Sequence, residues 1–300
     1  MARGLLETMP RSVDPSRKDP MRLTVRTLLT TGALAALAAF STVALPGRAT
    51  AADGVDAIKK RGTLIVGVKA DYKPFGFRDP SGTIIGLEPD LAADLAKRLG
   101  VKLELVPVVS ANRIEFLQQG KVDLLIATLS DKPERRRVVQ AIDPNYYSDF
   151  VNVLLPKSSG ITDWAQLKGK PLCATSGAWY NKDVARTYGA EIVAFDGSEK
   201  PLFALKQGNC IGYVYDQSML QGKLLDDDWK ANYALPLKGI LDAPWMMAVA
   251  QGNTTLQAAV EDATKDWMKT GFIVNEEKKW GIEPTAYSKA MHEKYKNATN

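Results

Sequence analysis

The chain has 300 residues, 45% of them apolar and 24% charged, with 39 Lys/Arg against 34 Asp/Glu. Seven of the basic and three of the acidic residues fall within 1–51, leaving 32 against 31, so the positive excess is concentrated at the N-terminus and is not the footprint of a nucleic-acid binder. The only histidine is His292 and the only cysteines are Cys173 and Cys210, which gives no set of ligands for a transition metal and no cofactor to expect.

In chain order, Arg22 and Arg26 precede an uncharged run from Leu28 to Ala44, and Ala49-Thr50-Ala51 follows. A basic start, a short apolar middle and an A-x-A exit form the pattern of a cleavable secretory signal peptide. The run of about 17 residues lies at the lower limit for a membrane span, so the alternative is an N-terminal anchor. Met21 is a candidate start, residues 1–20 being polar, and no cysteine near the cleavage site offers a lipid attachment point. Residues 1–52 are therefore set apart as extension and signal peptide, and the remainder is expected to be exported and soluble. About 250 residues suffice for two modest lobes.

Leu64 to Val68 reads as a strand. Pro89 to Leu99 places Leu91, Ala92, Leu95 and Leu99 at helical spacing, with Gly100 as the stop. Val101 to Val109 alternates as a strand does, Ile114 to Leu117 starts a short helix, and Val122 to Ala127, apolar but for Asp123, fits a buried parallel strand. Val151 to Leu155, Pro171 to Thr175, Glu191 to Phe195 and Ile211 to Tyr215 repeat the strand pattern. Helical segments at 164–167, 181–188 and 202–207 lie between them. An apolar run from Trp245 to Ala250 precedes about 50 helical residues. Alternating strands and helices imply an α/β fold with mostly parallel sheets. Ligands of such sheets bind beyond the carboxyl ends of the strands, which selects residues 69–77, 128–135, 175–180 and 216–218. In an oxidising compartment Cys173 and Cys210 read as a disulfide, worth about 4 kcal/mol by loop closure; two buried thiols are the alternative.

A set of short motifs occurs in order: Val66-Gly67-Val68 with Pro74-Phe75-Gly76-Phe77, Gly86-Leu87-Glu88 with Asp90-Leu91, Asn112-Arg113-Ile114, Gly120-Lys121-Val122-Asp123, Pro133-Glu134-Arg135, Leu167-Lys168-Gly169-Lys170, Thr175-Ser176-Gly177 and Tyr215-Asp216. The set resembles the polar amino-acid branch of the bacterial periplasmic solute-binding proteins of ABC transporters. The resemblance implies a two-lobed periplasmic-binding-protein fold, joined by two hinge strands, that closes on a free amino acid. Lobe 1 would comprise 53–149 and 246–300, and lobe 2 residues 150–245, with crossings near Phe150 and Trp245. Partners would be the amino acid and inner-membrane ABC permease subunits; a periplasmic monomer is expected.

The resemblance also implies roles. Arg135 aligns with the arginine that grips the α-carboxylate, helped by Ser130 and the backbone at Thr128. The alternative for Arg135 is a solvated basic face with Arg136 and Arg137. Asp216 aligns with the acceptor of the α-ammonium, the alternative being a helix cap. Tyr72 supplies an aromatic wall, Trp179 a second wall or lobe packing, and Thr175 and Ser176 add polar contacts. Lys69 stands where relatives that bind cationic or amide side chains often have Asp, and Arg113 matches an arginine that glutamate/aspartate-binding relatives use on the side-chain carboxylate. With Ser110 these residues favour an acidic side chain; a lysine turned to solvent would instead leave a neutral polar ligand. The strands carrying Cys173 and Cys210 are neighbours in this fold, which makes a bond feasible. An enzymatic alternative, a dehydratase of prephenate or arogenate, requires a buried general acid that no loop residue obviously supplies. A soluble co-receptor is the third class.

Overall fold

The computed structural model describes residues 54–297; the export signal expected over 1–52 lies outside them. Helix α1 (Gly54–Arg61) leads into β1 (Thr63–Val68). Strands β2 (Asp71–Tyr72), β3 (Gly76–Arg78) and β4 (Ile84–Ile85) form a separate antiparallel sheet. At two or three residues each they are too short to show a period, which is why the sequence does not announce them. Next come α2 (Leu87–Leu99), β5 (Lys102–Pro107), α3 (Arg113–Gln118), β6 (Leu124–Ser130), α4 (Pro133–Arg136) and β7 (Gln140–Ala141). The second half brings β8 (Tyr147–Pro156), β9 (Pro171–Thr175), α5 (Asn181–Tyr188), β10 (Glu191–Phe195), α6 (Glu199–Lys206), β11 (Gly212–Asp216), α7 (Gln217–Lys223), α8 (Asp227–Asn232) and β12 (Tyr233–Ala234). The long β13 (Ile240–Val249) and helices α9 (Thr254–Thr270), α10 (Phe272–Lys279) and α11 (Ala286–Lys296) end the described chain.

The main sheet runs β10-β9-β11-β8-β13-β6-β1-β5. Its two flanks, β5-β1-β6 and β11-β9-β10, are parallel triplets. The expected parallel sheets are thus present, one to each lobe of a two-lobed α/β fold. Between them lie the ten-residue strands β8 and β13, which pair antiparallel with each other and with β11 and β6 respectively. Their shared register, from Tyr147↔Trp245 to Val151↔Ile240, is where the chain passes between lobes. The sequence reading began these strands late, at Val151 and Trp245, because Ser148, Asp149, Asp242 and Pro244 interrupt the apolar runs. The polar residues are tolerated because they have partners: Ser148 donates to Asp242 at 2.6 Å, and Ser218 donates to Asp149 from both its N–H and its hydroxyl.

The seven residues of β6 are all buried, as a central strand requires. Its alternation divides them: Leu124 and Ile126 join the larger core with Leu91, Leu95, Val260 and Trp267, while Leu125 and Leu129 meet Leu117 and Met246 in a smaller cluster. Each such side chain removed from water contributes about 1.5–3 kcal/mol. Helix α9 starts at Asn253, whose side chain accepts the Leu256 N–H at 3.2 Å, and stops at Gly271 with φ +71°. Cys173 on β9 and Cys210, two residues before β11, form a disulfide with Cα atoms 5.6 Å apart, as expected for parallel neighbours. Among the described residues no helix is long and apolar enough to cross a membrane.

Candidate functional site

The carboxyl ends of β1 and β6 on one lobe face those of β9 and β11 on the other, and the two rims touch. The Tyr72 hydroxyl donates to Asp216 Oδ2 at 2.9 Å, and the Ser198 N–H donates to Asp71 Oδ2 at 2.6 Å. Arg135 Nη2 donates to Gly177 O at 3.2 Å, and Lys132 Nζ lies 3.1 Å from the centre of the Trp179 ring. Ser110 Oγ is 3.4 Å from the Tyr215 hydroxyl. Gly177, at φ +80°, approaches so closely that a Cβ would lie 2.8 Å from Ala111 Cα. The structure is therefore the shut form of a clamp.

The cations meet inside this contact. Arg113 is almost fully buried; its Nη1 donates to Ala127 O and to Thr128 Oγ1 at 3.3 Å, while Nε has no partner. Arg135 reaches Ser130 O at 2.9 Å besides Gly177 O. Neither guanidinium forms an ion pair with a carboxylate among the described residues. Burial, with Arg113 adding repulsion, pushes the Arg135 pKa down to about 9, so it stays charged at neutral pH. Arg136 next to it grips Asp131 and Asp143 instead. The alternative of a solvated basic face therefore does not describe Arg135, which reaches across to Gly177 O.

Lys69 is completely buried and does not point to solvent; its Nζ lies 3.0 Å from Asp71 Oδ1. Its charge is thereby largely offset within its own loop. Asp216 occupies the N-cap position of α7 but makes no cap hydrogen bond. Its carboxylate turns to Tyr72 instead, and Oδ1 is buried without a partner. Burial raises the Asp216 pKa, opposed by the Tyr72 hydrogen bond, the nearby Tyr180 hydroxyl and the charges of Arg113 and Lys69. Tyr72 packs against Phe75, Tyr215 and Trp245 with ring centres 5.4–6.1 Å apart, as an aromatic wall should. Trp179 lies edge-on to Tyr180, its Nε1 unpartnered.

Three groups expected to meet a ligand have partners within the protein. The Thr128 N–H, expected to be offered to a ligand carboxylate, is donated to Glu88 Oε1 at 2.6 Å and to the Tyr146 oxygen at 3.2 Å. Thr128 sits at φ +48°, a strained conformation for a β-branched residue, held by these bonds. Thr175 engages its hydroxyl with Tyr213 at 2.7 Å and Gly197 O at 3.2 Å within its own lobe, because β9 and β11 are adjacent. The Ser176 N–H is likewise used by Phe195 O. The search for a buried acid also missed Glu88, which is wholly inaccessible and whose pKa burial pushes up to about 7. Asp71 and Tyr180 were missed as well, although both lie within the loop segments the topology rule selects. Glu88 and Tyr215 lie outside those segments and had no such signal. A separate cleft of about 560 Å³ beside the crossing strands, lined by Asp149, Phe150, Gln221 and Tyr287, contains no cationic side chain.

Residues 64–283 match the family of bacterial extracellular solute-binding proteins, family 3. The ABC transporter glutamine-binding protein of Bacillus subtilis is 30% identical over 240 residues, covering 78% of this chain and 86% of that protein. The crystal structure of the solute receptor for L-cysteine of Neisseria gonorrhoeae is similar at 30% identity and a TM-score of 0.70, over 75% of this chain and 92% of that one. An ancestral amino acid-binding protein, a precursor of cyclohexadienyl dehydratase, aligns at 29% identity and a TM-score of 0.67, over 75% and 98%.

Proposed function

Given that this chain belongs to family 3 of the bacterial extracellular solute-binding proteins and is the substrate-binding component of an amino-acid ABC transporter, we propose that its ligand is an acidic amino acid, glutamate or aspartate. The observation that carries the reading is the pair Arg113 and Arg135, two neighbouring guanidiniums with carbonyl and hydroxyl partners only. Two cations close together, Arg113 buried and Arg135 half-buried, are costly until anions join them. A dicarboxylate amino acid supplies two. Arg135 takes the α-carboxylate, Arg113 the side chain, and Asp216 Oδ1 accepts from the α-ammonium. Tyr72 and Tyr180 exclude water from that end.

Binding is a population shift. The ligand's charges pair with both rims at once only when the lobes are shut, so ligand favours the form described here. The closed form is then presented to the permease in the periplasm, the chain having been exported by its signal peptide. No bond is made or broken, and the protein acts as a carrier, not an enzyme. A second reading, a neutral polar amino acid, is favoured by the Lys69–Asp71 pair, which removes one of the cations counted in favour of an acid.

Isothermal titration of protein unfolded and refolded free of ligand tests this with glutamate, aspartate, glutamine, histidine, arginine and prephenate. Tight stoichiometric binding of an acidic amino acid supports it. Binding of glutamine alone moves the reading to the second ligand class, and turnover of prephenate overturns the carrier role.

A further inference from the structure

Glu88 lies beside Arg113, joined to it through Thr128, and has no role in the reading above. It stands in the first turn of α2, whose start is pinned to the loop carrying Tyr72: the N–H groups of Leu87 and Glu88 donate to Pro74 O and Phe75 O at 3.2 and 2.9 Å. Gly86 at φ +139° permits this approach, since a Cβ there would lie 2.4 Å from Phe75 O. The carboxyl is thereby carried to the end of β6. Oε1 accepts from the Thr128 N–H and the Tyr146 hydroxyl, and Oε2 is buried with no partner. Arg113 binds the same residue, Thr128, from its other side.

We propose that Glu88 determines which side-chain charge this cleft accepts: its carboxyl offsets the Arg113 charge, and only when it is neutral does the pocket favour an anionic side chain. The inference rests on the reading that Arg113 faces the ligand side chain. The charged and titratable groups around Glu88 are Arg113 from α3, Lys69 from the end of β1 and Tyr146 from the segment before β8. Helix α10 sends Lys279 to Asp90 on the same helix α2, not to Glu88. The ionised form loses its hydration on burial, while Lys69, Arg113 and two donors hold it, and the balance leaves its pKa near about 7. The side chain of a free acidic amino acid is ionised throughout the range in which Glu88 changes state. Capture of glutamate would therefore be accompanied by proton uptake on Glu88, and capture of glutamine would not.

The test is Glu88→Gln, which keeps an oxygen for the Thr128 and Tyr146 donors and removes only the charge. Dissociation constants for glutamate and glutamine are measured in the full protein between pH 6 and 8.5. In the native protein the preference for glutamate over glutamine should fall by about 30-fold across this range, following the neutral fraction of a carboxyl that titrates at about 7. In E88Q it should be flat and at the acidic-limb value. Titration in buffers of different ionisation heat should show proton uptake with glutamate that E88Q abolishes. A glutamate-to-glutamine ratio that E88Q leaves unmoved at every pH overturns the inference while leaving the acidic-ligand reading intact. Conversely, a native protein that excludes glutamate while E88Q binds it removes the acidic-ligand reading and supports the inference. A folded E88Q that binds neither ligand overturns it, as does equal loss of both affinities, which marks a purely structural role.

Discussion

Gly177→Ala should separate folding from closure. Gly177 lies at φ +80°, and an alanine there incurs about 1–2 kcal/mol of left-handed backbone cost whether the lobes are open or shut. That cost appears as a lower melting temperature. The second cost exists only when the lobes are shut: the new Cβ meets Ala111 Cα and N and Ser110 C at 2.8 Å. These are backbone atoms, so no rotamer change relieves the overlap, and the rims must part by about 0.6 Å to reach ordinary contact. Overpacking of this size costs about 1–3 kcal/mol, which is roughly 5- to 150-fold in affinity. Calorimetric titration with the best ligand reads the affinity, and small-angle scattering with saturating ligand reads closure. Gly208→Ala is the control, at φ +77° with nothing near its Cβ; it should lose melting temperature and keep affinity. If Gly177→Ala binds as tightly as the native protein, the ligand-bound form does not bring Gly177 against Ala111, and the clamp described above is not the binding geometry.

Arg135→Ala should weaken binding by about 2–5 kcal/mol, roughly 30- to 5,000-fold, the range for truncating one partner of a buried charge pair, with no loss of ligand-free melting temperature, since the guanidinium has no carboxylate to leave behind. Titration and a melting curve read the two effects. The double substitution Cys173→Ser with Cys210→Ser should lower unfolding free energy by about 3–4 kcal/mol in denaturant titration, the loop-closure value for this separation. Glu88 and Asp149 both have folded-state pKa values raised to about 7, chiefly by burial. The folded state then binds their protons more tightly than the unfolded chain does, so the cost of ionising them is absent at the unfolded values near about 4 and complete above 7. Ligand-free melting temperature should rise as pH falls from 8 to 6, and Glu88→Gln should flatten part of that rise.

What was legible in the sequence followed from repetition. The Leu91–Leu95–Leu99 spacing and the Gly100 stop recover α2 because one periodic face is buried, and the apolar block 124–127 recovers β6 because both of its faces are. The crossing strands were read only in part, since a hinge that carries Asp149 and Asp242 satisfies its polar residues through partners some 70–94 positions away. Site residues that follow a strand, such as Arg135 and Asp216, could be placed by topology. Glu88 could not, because its importance comes from a helix start being pressed onto a loop by Gly86. Lys69 could be placed at the cleft by its position after a strand, but nothing in its pattern shows that Asp71, two residues on, pairs with it and offsets its charge.

Two strands, rather than one, pass between the lobes, and they are hydrogen-bonded to each other across the passage. A single connecting strand would let one lobe swivel, bend and slide. A paired ribbon resists twisting about its own length and shearing along it, so the freedom that remains is close to one bending angle. The rims that carry Arg135, Tyr72, Gly177 and Asp216 therefore meet in one alignment each time the molecule shuts. A single distance between the lobes, followed by one pair of labels, should then describe the whole motion.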